Sequence, residues 1–522
     1  MATKRLQVHR LIYILLLTLL AGSAVTSKFM MNLAWTLLFA NWVVEWDMKR
    51  KFADFPRNGL LHFAILLFLL PLVGLIWCDN LTAGLGVVRQ SLPLIAIPLV
   101  VLTSQPLTKN QWRIVAVGYI GTLTVVTIIG MIRWLTLPDL PYRKIVPYIS
   151  HIRFSLNLVL AICIMFGAVL TQATRPHPGW RATAKTALCV LLTIWFLFFL
   201  VLIQSYTGLI ILLATAIVAM LFGQRKIANR RLRLGLICTL LVATAALTAT
   251  CACYVHEYYS PRLAHIDTSP TTLGGRPYTF ADDGLLECGR MVNDYVCEEE
   301  LRSQWQRVSR MPYDTVTPVG YPVGSALVRY LNAMGVTKDS AGVMCLRRDD
   351  IEAIEHGIAN PIYRQKASLR HMVYVMLFEY ENYRCFRNVR GFTMLQRIEL
   401  WKAAWSVACD NWVHGVGTGD LLVSLDAKLQ AHSSPLAGSK MYPHNQYLTL
   451  LASYGFIAFA LLCAGAVWAF VRKRLWRNTL WMACITIVLV SCLTEDTIAT
   501  GAGAIFSALF TSLTSKIAET NA

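Results

Sequence analysis

His444 stands in the stretch Tyr-Pro-His-Asn-Gln-Tyr (442–447), a polar cluster at the mouth of an apolar run that lasts to Val471. Two arginines hold comparable boundary positions: Arg153 in "PYISHIRFSLNLVLAI" and Arg397 in "LQRIELWKAAWSVACDNWVHGVGTGD". An imidazole titrates near neutral pH and can take the proton of a hydroxyl. A guanidinium stays charged and binds phosphate through paired hydrogen bonds. Two arginines nearby would hold the imidazole neutral, fit to act as a base. The chemistry this combination suits is attack by a hydroxyl on a carbon whose leaving group is a phosphate.

Each piece also has a plain structural reading. Pro443 cannot continue a helix backward and Asn445 is a good N-cap, so His444 and Asn445 could simply open a helix. Such an opening presents free amides and a positive dipole end, which is itself an anion site. Arg397 could be an interfacial arginine that snorkels to the headgroups. Arg153, at the start of a helix, opposes the dipole and calls for an anionic partner, substrate or headgroup. His414, beside a glycine-rich turn, is a rival base. Arg89 lies inside an apolar run, where an ionisable side chain is costly and usually functional; it could line a cavity or pair with Glu495-Asp496. Asp282-Asp283 and Asp349-Asp350 are weak metal candidates, and Asp349 is expected to cap the helix "DDIEAIEHG". No metal site is expected.

The elements that must position these groups are hydrophobic. The 522 residues are 56% hydrophobic and only 15% charged, with a mean hydropathy of +0.51. A soluble globular chain carries about 25% charged residues. A net charge of +19 would suggest nucleic acid in a soluble protein, but here the lysines and arginines crowd short loops between apolar runs. No nucleic-acid partner is expected. At about 20 residues per span, twelve transmembrane helices are read: 9–26, 29–46, 59–77, 81–103, 112–136, 153–172, 182–203, 205–222, 232–255, 445–471, 476–493 and 498–516. The first could pass for a cleaved signal peptide; the count closes with it retained as a helix.

Alternate loops carry Lys49-Arg50-Lys51, Lys109 with Arg113, Arg175 to Lys185, Arg225 to Arg233, and Arg472 to Arg477. Dense basic loops face the cytoplasm, so both termini are expected there. The opposite side receives the 137–152 loop and a large segment of balanced charge. Three regions follow: helices one to nine over 1–255, a loop subdomain over 256–444 with an interfacial helix at 395–408, and the last three helices over 445–522. In the interfacial helix Ile398, Trp401, Trp405 and Ala408 form the expected apolar stripe. Five of fourteen cysteines fall in the loop region; an extracytoplasmic compartment permits disulfides, and Cys288–Cys297 and Cys345–Cys385 are the pairings tried. No P-loop, dinucleotide fingerprint, CxxC or internal repeat is present.

At these residues the chain resembles the O-antigen ligase and polymerase superfamily of bacterial envelopes. "HNQYLTLLASYG" fits the pattern of His, Asn/Ser/Gln, nine residues, then Gly (His444, Asn445, Gly455), although Ala458 stands where Gly, Thr or Tyr is usual. "RIELWKAAW" followed by "HGVGTGD" resembles the family's Arg-x-x-x-Trp helix and Gly-Val-Gly turn, with His414 in place of the usual Pro. "HIRFSLNL" and "LTEDTIATGAGAIF" are also similar to family segments. The likeness covers the membrane part, most strongly 395–515, and not the insertion 263–390. It implies an all-α polytopic membrane protein with about 12 transmembrane helices, type C glycosyltransferase-like, with a large periplasmic loop subdomain, in the bacterial inner membrane. It implies transfer of a glycan from undecaprenyl pyrophosphate to a sugar hydroxyl of lipid A–core, without metal or cofactor, with inversion. By position His444 would be the catalytic histidine, Arg153 and Arg397 the pyrophosphate ligands, and Arg262 a further essential arginine. A lipid-linked repeat-unit polymerase, a protein O-glycosyltransferase and, from a different class, a lipid-linked glycan transporter remain the alternatives.

Overall fold

The computed structural model describes residues 2–137, 140, 142–173, 179–223, 229–260, 270–281, 283–365, 368–387, 389 and 393–520. The chain divides into two compact units, Met1–Leu240 with Arg397–Ala522, and Leu241–Gln396.

The first unit is a helical bundle. Helices occupy each of the twelve expected segments, the ninth of which, Arg230–Tyr259, runs across the division between the two units' residues. Among the described residues, eight helices are long and apolar enough to cross a membrane, or nine if Met48–Arg57 and Gly59–Val73, bent by 91°, count as one span. The helix starts follow from local chemistry. Asn58, Asn80, Asn445 and Asn478 each accept backbone N–H bonds from the first turn, and Thr108 with Gln111 forms a reciprocal capping box. Pro93 restarts the chain after Leu92, splitting the 81–103 segment into Leu81–Ser91 and Pro93–Thr103. Leu17, Leu20, Leu123, Phe154, Phe199 and Leu509 lie fully inside one continuous apolar core.

The second unit packs short helices around Trp305, Leu327, Tyr330, Leu331 and Ile354. It also holds an antiparallel pair of two-residue strands, Leu286–Glu287 and Arg290–Met291. Two expectations fail here. None of the fourteen cysteines is bonded to another. The Cys288 thiol instead accepts from Asn360, while Cys297 opens the helix Glu298–Val308, and Cys345 and Cys385 end separate helices. The helix Arg348–Glu355 is closed not by Asp349 but by Asp350, whose carboxylate takes the Arg347 N–H at 3.0 Å.

Candidate active site

The helix Gln446–Arg472 is broken. Gly455 has φ 76° and ψ 173°, a conformation essentially reserved for glycine. A break in the middle of a helix frees carbonyls and amides that need partners in an apolar surround. The glycine turn after the helix Thr393–Asp410 supplies them. Val416 N–H donates to Ala452 and Gly417 N–H to Ser453, at 3.0 and 2.9 Å, and Phe456 N–H donates to Trp412 at 2.8 Å. The approach is so close that a Cβ on Gly455 would meet the Val413 carbonyl at 2.4 Å, and one on Gly415 would meet Ser453 at 2.3 Å. The two glycine motifs are thus halves of one joint.

This joint places the first turn of the helix against the helix Thr393–Asp410. Trp401 donates its indole N–H to the Pro443 carbonyl at 2.8 Å. The Asn445 side chain caps Tyr447 and Leu448, at 3.1 and 3.2 Å, so Asn445 serves as a cap. His444 takes the left-handed conformation, φ 52°, and its backbone N–H donates to Asp496 at 2.9 Å. Asp496 also accepts from the Thr449 hydroxyl at 2.5 Å. The strained histidine is therefore held from behind by a buried carboxylate.

The neighbouring Glu495 faces the other way, into the cluster of cations. Arg397 donates to it at 2.7 Å, both side chains being 15% exposed. The His444 Nδ1 lies 3.8 Å from its second oxygen, an ion-pair rather than a hydrogen-bond distance. Arg153, in the first turn of His151–Ala173, acts electrostatically on both Glu495 and Asp496. Burial disfavours the Glu495 charge, but His444, Arg397 and Arg153 outweigh it and hold the carboxyl below its usual range. Burial pushes the Asp496 carboxyl upward, against the bonds from Thr449 and the His444 backbone. His444, Arg397 and Arg153, distant in sequence, thus address one carboxylate. Arg153 forms no ion pair with a described residue.

The remaining sequence candidates lie elsewhere or outside view. His414 is exposed on the glycine turn, its Nδ1 against the Gly415 carbonyl and its ring beside Trp77. Arg89 is exposed on Leu81–Ser91 and is not the partner of Glu495, which Arg397 takes. Arg262 and Asp282 lie outside the described residues. On the 395–408 helix Leu400, Ala404, Val407 and Ala408 are buried, while Ile398 and Trp405 of the expected surface stripe are exposed. Sequence reasoning missed Glu495 as the partner of His444 and Arg397; two carboxylates directly after an apolar helix were the available signal. Among the described residues no group of three or more His, Cys, Asp or Glu side chains is placed to share a metal ion.

Residues 360–463 match the family model described as O-antigen ligase. The stretch is similar to an O-antigen ligase domain and takes in 104 of the 522 residues. The O-antigen ligase match takes in Arg397, His444 and both glycines of the joint, Gly415 and Gly455, while Arg153 and Glu495 come from outside it. No curated protein matches the chain. The match, with eight helices among the described residues long and apolar enough to cross a membrane, supports a membrane protein of glycan ligase or polymerase type.

Proposed function

We propose that the protein is an O-antigen ligase that transfers a glycan from undecaprenyl pyrophosphate to a sugar hydroxyl of lipid A–core. In this reading twelve helices span the bacterial inner membrane, both termini are cytoplasmic, and the His444 cluster faces the periplasm. The observation that carries it is the convergence of His444, Arg397 and Arg153 on Glu495.

The chemistry follows from what each group has left to offer. Arg397 spends one nitrogen on Glu495, and its other N–H groups, with those of Arg153, are available to a diphosphate. Closing the 3.8 Å gap between Glu495 and Nδ1 to a hydrogen bond would fix the tautomer that leaves Nε2 unprotonated, as a carboxylate orients a histidine base. The His444 side chain is 33% exposed, so a hydroxyl can reach it. The acceptor hydroxyl gives its proton to Nε2 while its oxygen bonds to the anomeric carbon. The bond from that carbon to the pyrophosphate breaks, and its electron pair leaves on the diphosphate, whose charge the arginines stabilise. Attack from the face opposite the leaving group inverts the anomeric centre.

Two experiments test the reading. With purified donor and acceptor in detergent, wild-type protein should transfer glycan without any gradient; a transporter would not. His444→Ala, inserted normally, should lose at least about 10³-fold in kcat, and full activity in that variant would sink the assignment. In a deletion strain, core without polymer, alongside polymer still on its lipid carrier, supports the ligase; loss of the polymer itself identifies a polymerase instead.

A further inference from the structure

Three aromatic rings meet on the second unit, Tyr278, Phe280 and Tyr295. Thr279 and Val296 exchange both backbone hydrogen bonds, at 2.9 and 3.2 Å, as an antiparallel bridge. Side chains alternate along such a pair, so Tyr278 and Phe280 share a face with Tyr295 opposite them. Phe280 and Tyr295 pack edge to face with centroids 4.6 Å apart, and Tyr278 meets Tyr295 at 5.9 Å. Phe280 is 55% exposed, and both tyrosines are half-buried. The residues flanking the rings in the chain, Thr279, Glu298 and Glu299, are exposed and polar.

The cluster is held from behind, and at a cost. Tyr295 stands at φ 54°, a left-handed conformation that a bulky residue keeps only where its surroundings impose it. Lys338, 2% exposed, donates from its ammonium to the Met291 and Asp294 carbonyls at 2.7 and 2.8 Å. It thereby cinches the turn that ends at Tyr295. Burial, then the Arg290 charge, pulls the Lys338 pKa down to about 7, the mark of a cation kept out of water. The next residue, Asp339, accepts from the Tyr278 hydroxyl, so two of the three rings hang from one short strip. An aromatic cluster that served the core alone would be buried; this one is strained and open. A hexose fits such a surface. The C–H bonds on one face of the sugar carry partial positive charge, which suits the negative face of an aromatic ring. Its rim carries hydroxyls, and Asn293 and Asp294, directly before Tyr295 in the chain, are the residue types that bond them. A protein partner would need a wider apolar area, which the exposed glutamates interrupt.

We propose that Tyr278, Phe280 and Tyr295 form a stacking platform for a sugar ring of the glycan substrate. The proposal rests on the glycan chemistry given above, and its test keeps the two apart. Binding is measured on the full chain in detergent by titration calorimetry, with two lipid-free probes. These are the core oligosaccharide and the O-polysaccharide released by mild acid from the lipopolysaccharide of the source bacterium; whichever binds identifies the sugar that stacks. Tyr295→Gly keeps the left-handed backbone and removes the ring, and Phe280→Ser removes an exposed ring, so both should fold. Each should raise the Kd of the bound probe about tenfold, while Tyr295→Phe should keep wild-type affinity. Wild-type affinity in the ring deletions, an equal loss in Tyr295→Phe, or no binding of either probe to wild type overturns the proposal. Ring deletions that bind both probes normally but lose self-association by light scattering would make the rings a contact between copies, which equally overturns it. Ring-dependent binding in a chain that transfers no glycan leaves the platform standing and sinks the functional reading; transfer with ring-independent binding does the opposite.

Discussion

Two carboxylate–guanidinium pairs in this protein look alike on paper and differ in what they leave unused. In the second unit, Arg329 grips Glu287 through two bonds of 2.8 and 2.9 Å. Asn360 adds a third bond to the same carboxylate, Tyr321 meets the guanidinium, and Phe378 lies 3.4 Å beneath it. Side-chain exposure is 8% and 0%. In the first unit, Arg397 makes one bond to Glu495, both partners are partly open, and an imidazole and a second guanidinium face the same carboxylate. The closed pair is buried, and its remaining N–H groups lie out of a ligand's reach. The open one keeps charges in excess of its internal needs. Spare valence within reach, not the mere presence of a buried charge, separates a structural ion pair from a working one.

The contrast can be broken by substitution. Arg329→Ala leaves a buried carboxylate without its counter-ion and should cost about 3–5 kcal/mol of stability in the second unit. Limited proteolysis of the full chain should show that unit cut far faster than in wild type; equal resistance would mean the pair carries no structural weight. Arg397→Ala should do the reverse: fold retained, kcat down about 10²–10³-fold, equivalent to about 2.7–4 kcal/mol. A variant that loses its fold instead of its rate would place Arg397 with Arg329.

What was legible in advance follows the same division. The helices could be read because a spanning segment must be apolar for about 20 residues. His444, Arg397 and Arg153 could be read because each interrupts or borders such a segment. Glu495 could not be assigned to them, since its partners lie 51, 98 and more than 300 residues away and only packing chooses among nearby cations. The inward face of the 395–408 helix could not be read, for a physical reason. Where the surroundings are themselves apolar, Ile398 and Trp405 can face outward as comfortably as Leu400 faces in, and periodicity stops marking the core. The meeting of Gly415 with Gly455 was equally invisible, because two short motifs give no sign that they touch.

Smaller perturbations sharpen the picture. Gly455→Ala forces a Cβ onto the Val413 carbonyl in a backbone conformation closed to alanine, and should cost about 1–3 kcal/mol, read as a lower melting temperature with reduced transfer. An unchanged melting temperature would mean the joint is loose. Glu495→Gln should lower kcat on the order of tenfold, about 1.4 kcal/mol, with little change in donor KM. Its pH dependence has a fixed sign. The Glu495 carboxyl is held below its ordinary range in the fold, so its stabilisation is complete above that range and fades as acid carries the pH down through the folded value. Wild type should therefore lose melting temperature more steeply in acid than the glutamine variant; parallel curves would remove Glu495 from the balance.

The interruption at Gly455 also bears on bilayer thickness. Below it, the stretch to Arg472 is about 26 Å long at 1.5 Å per residue, close to the hydrocarbon depth of a membrane. A thinner or thicker lipid mixture can be met by tilting that lower segment alone. The upper turn, tied sideways to Trp401 and Asp496, need not follow, so the imidazole keeps its station while the rod beneath it leans.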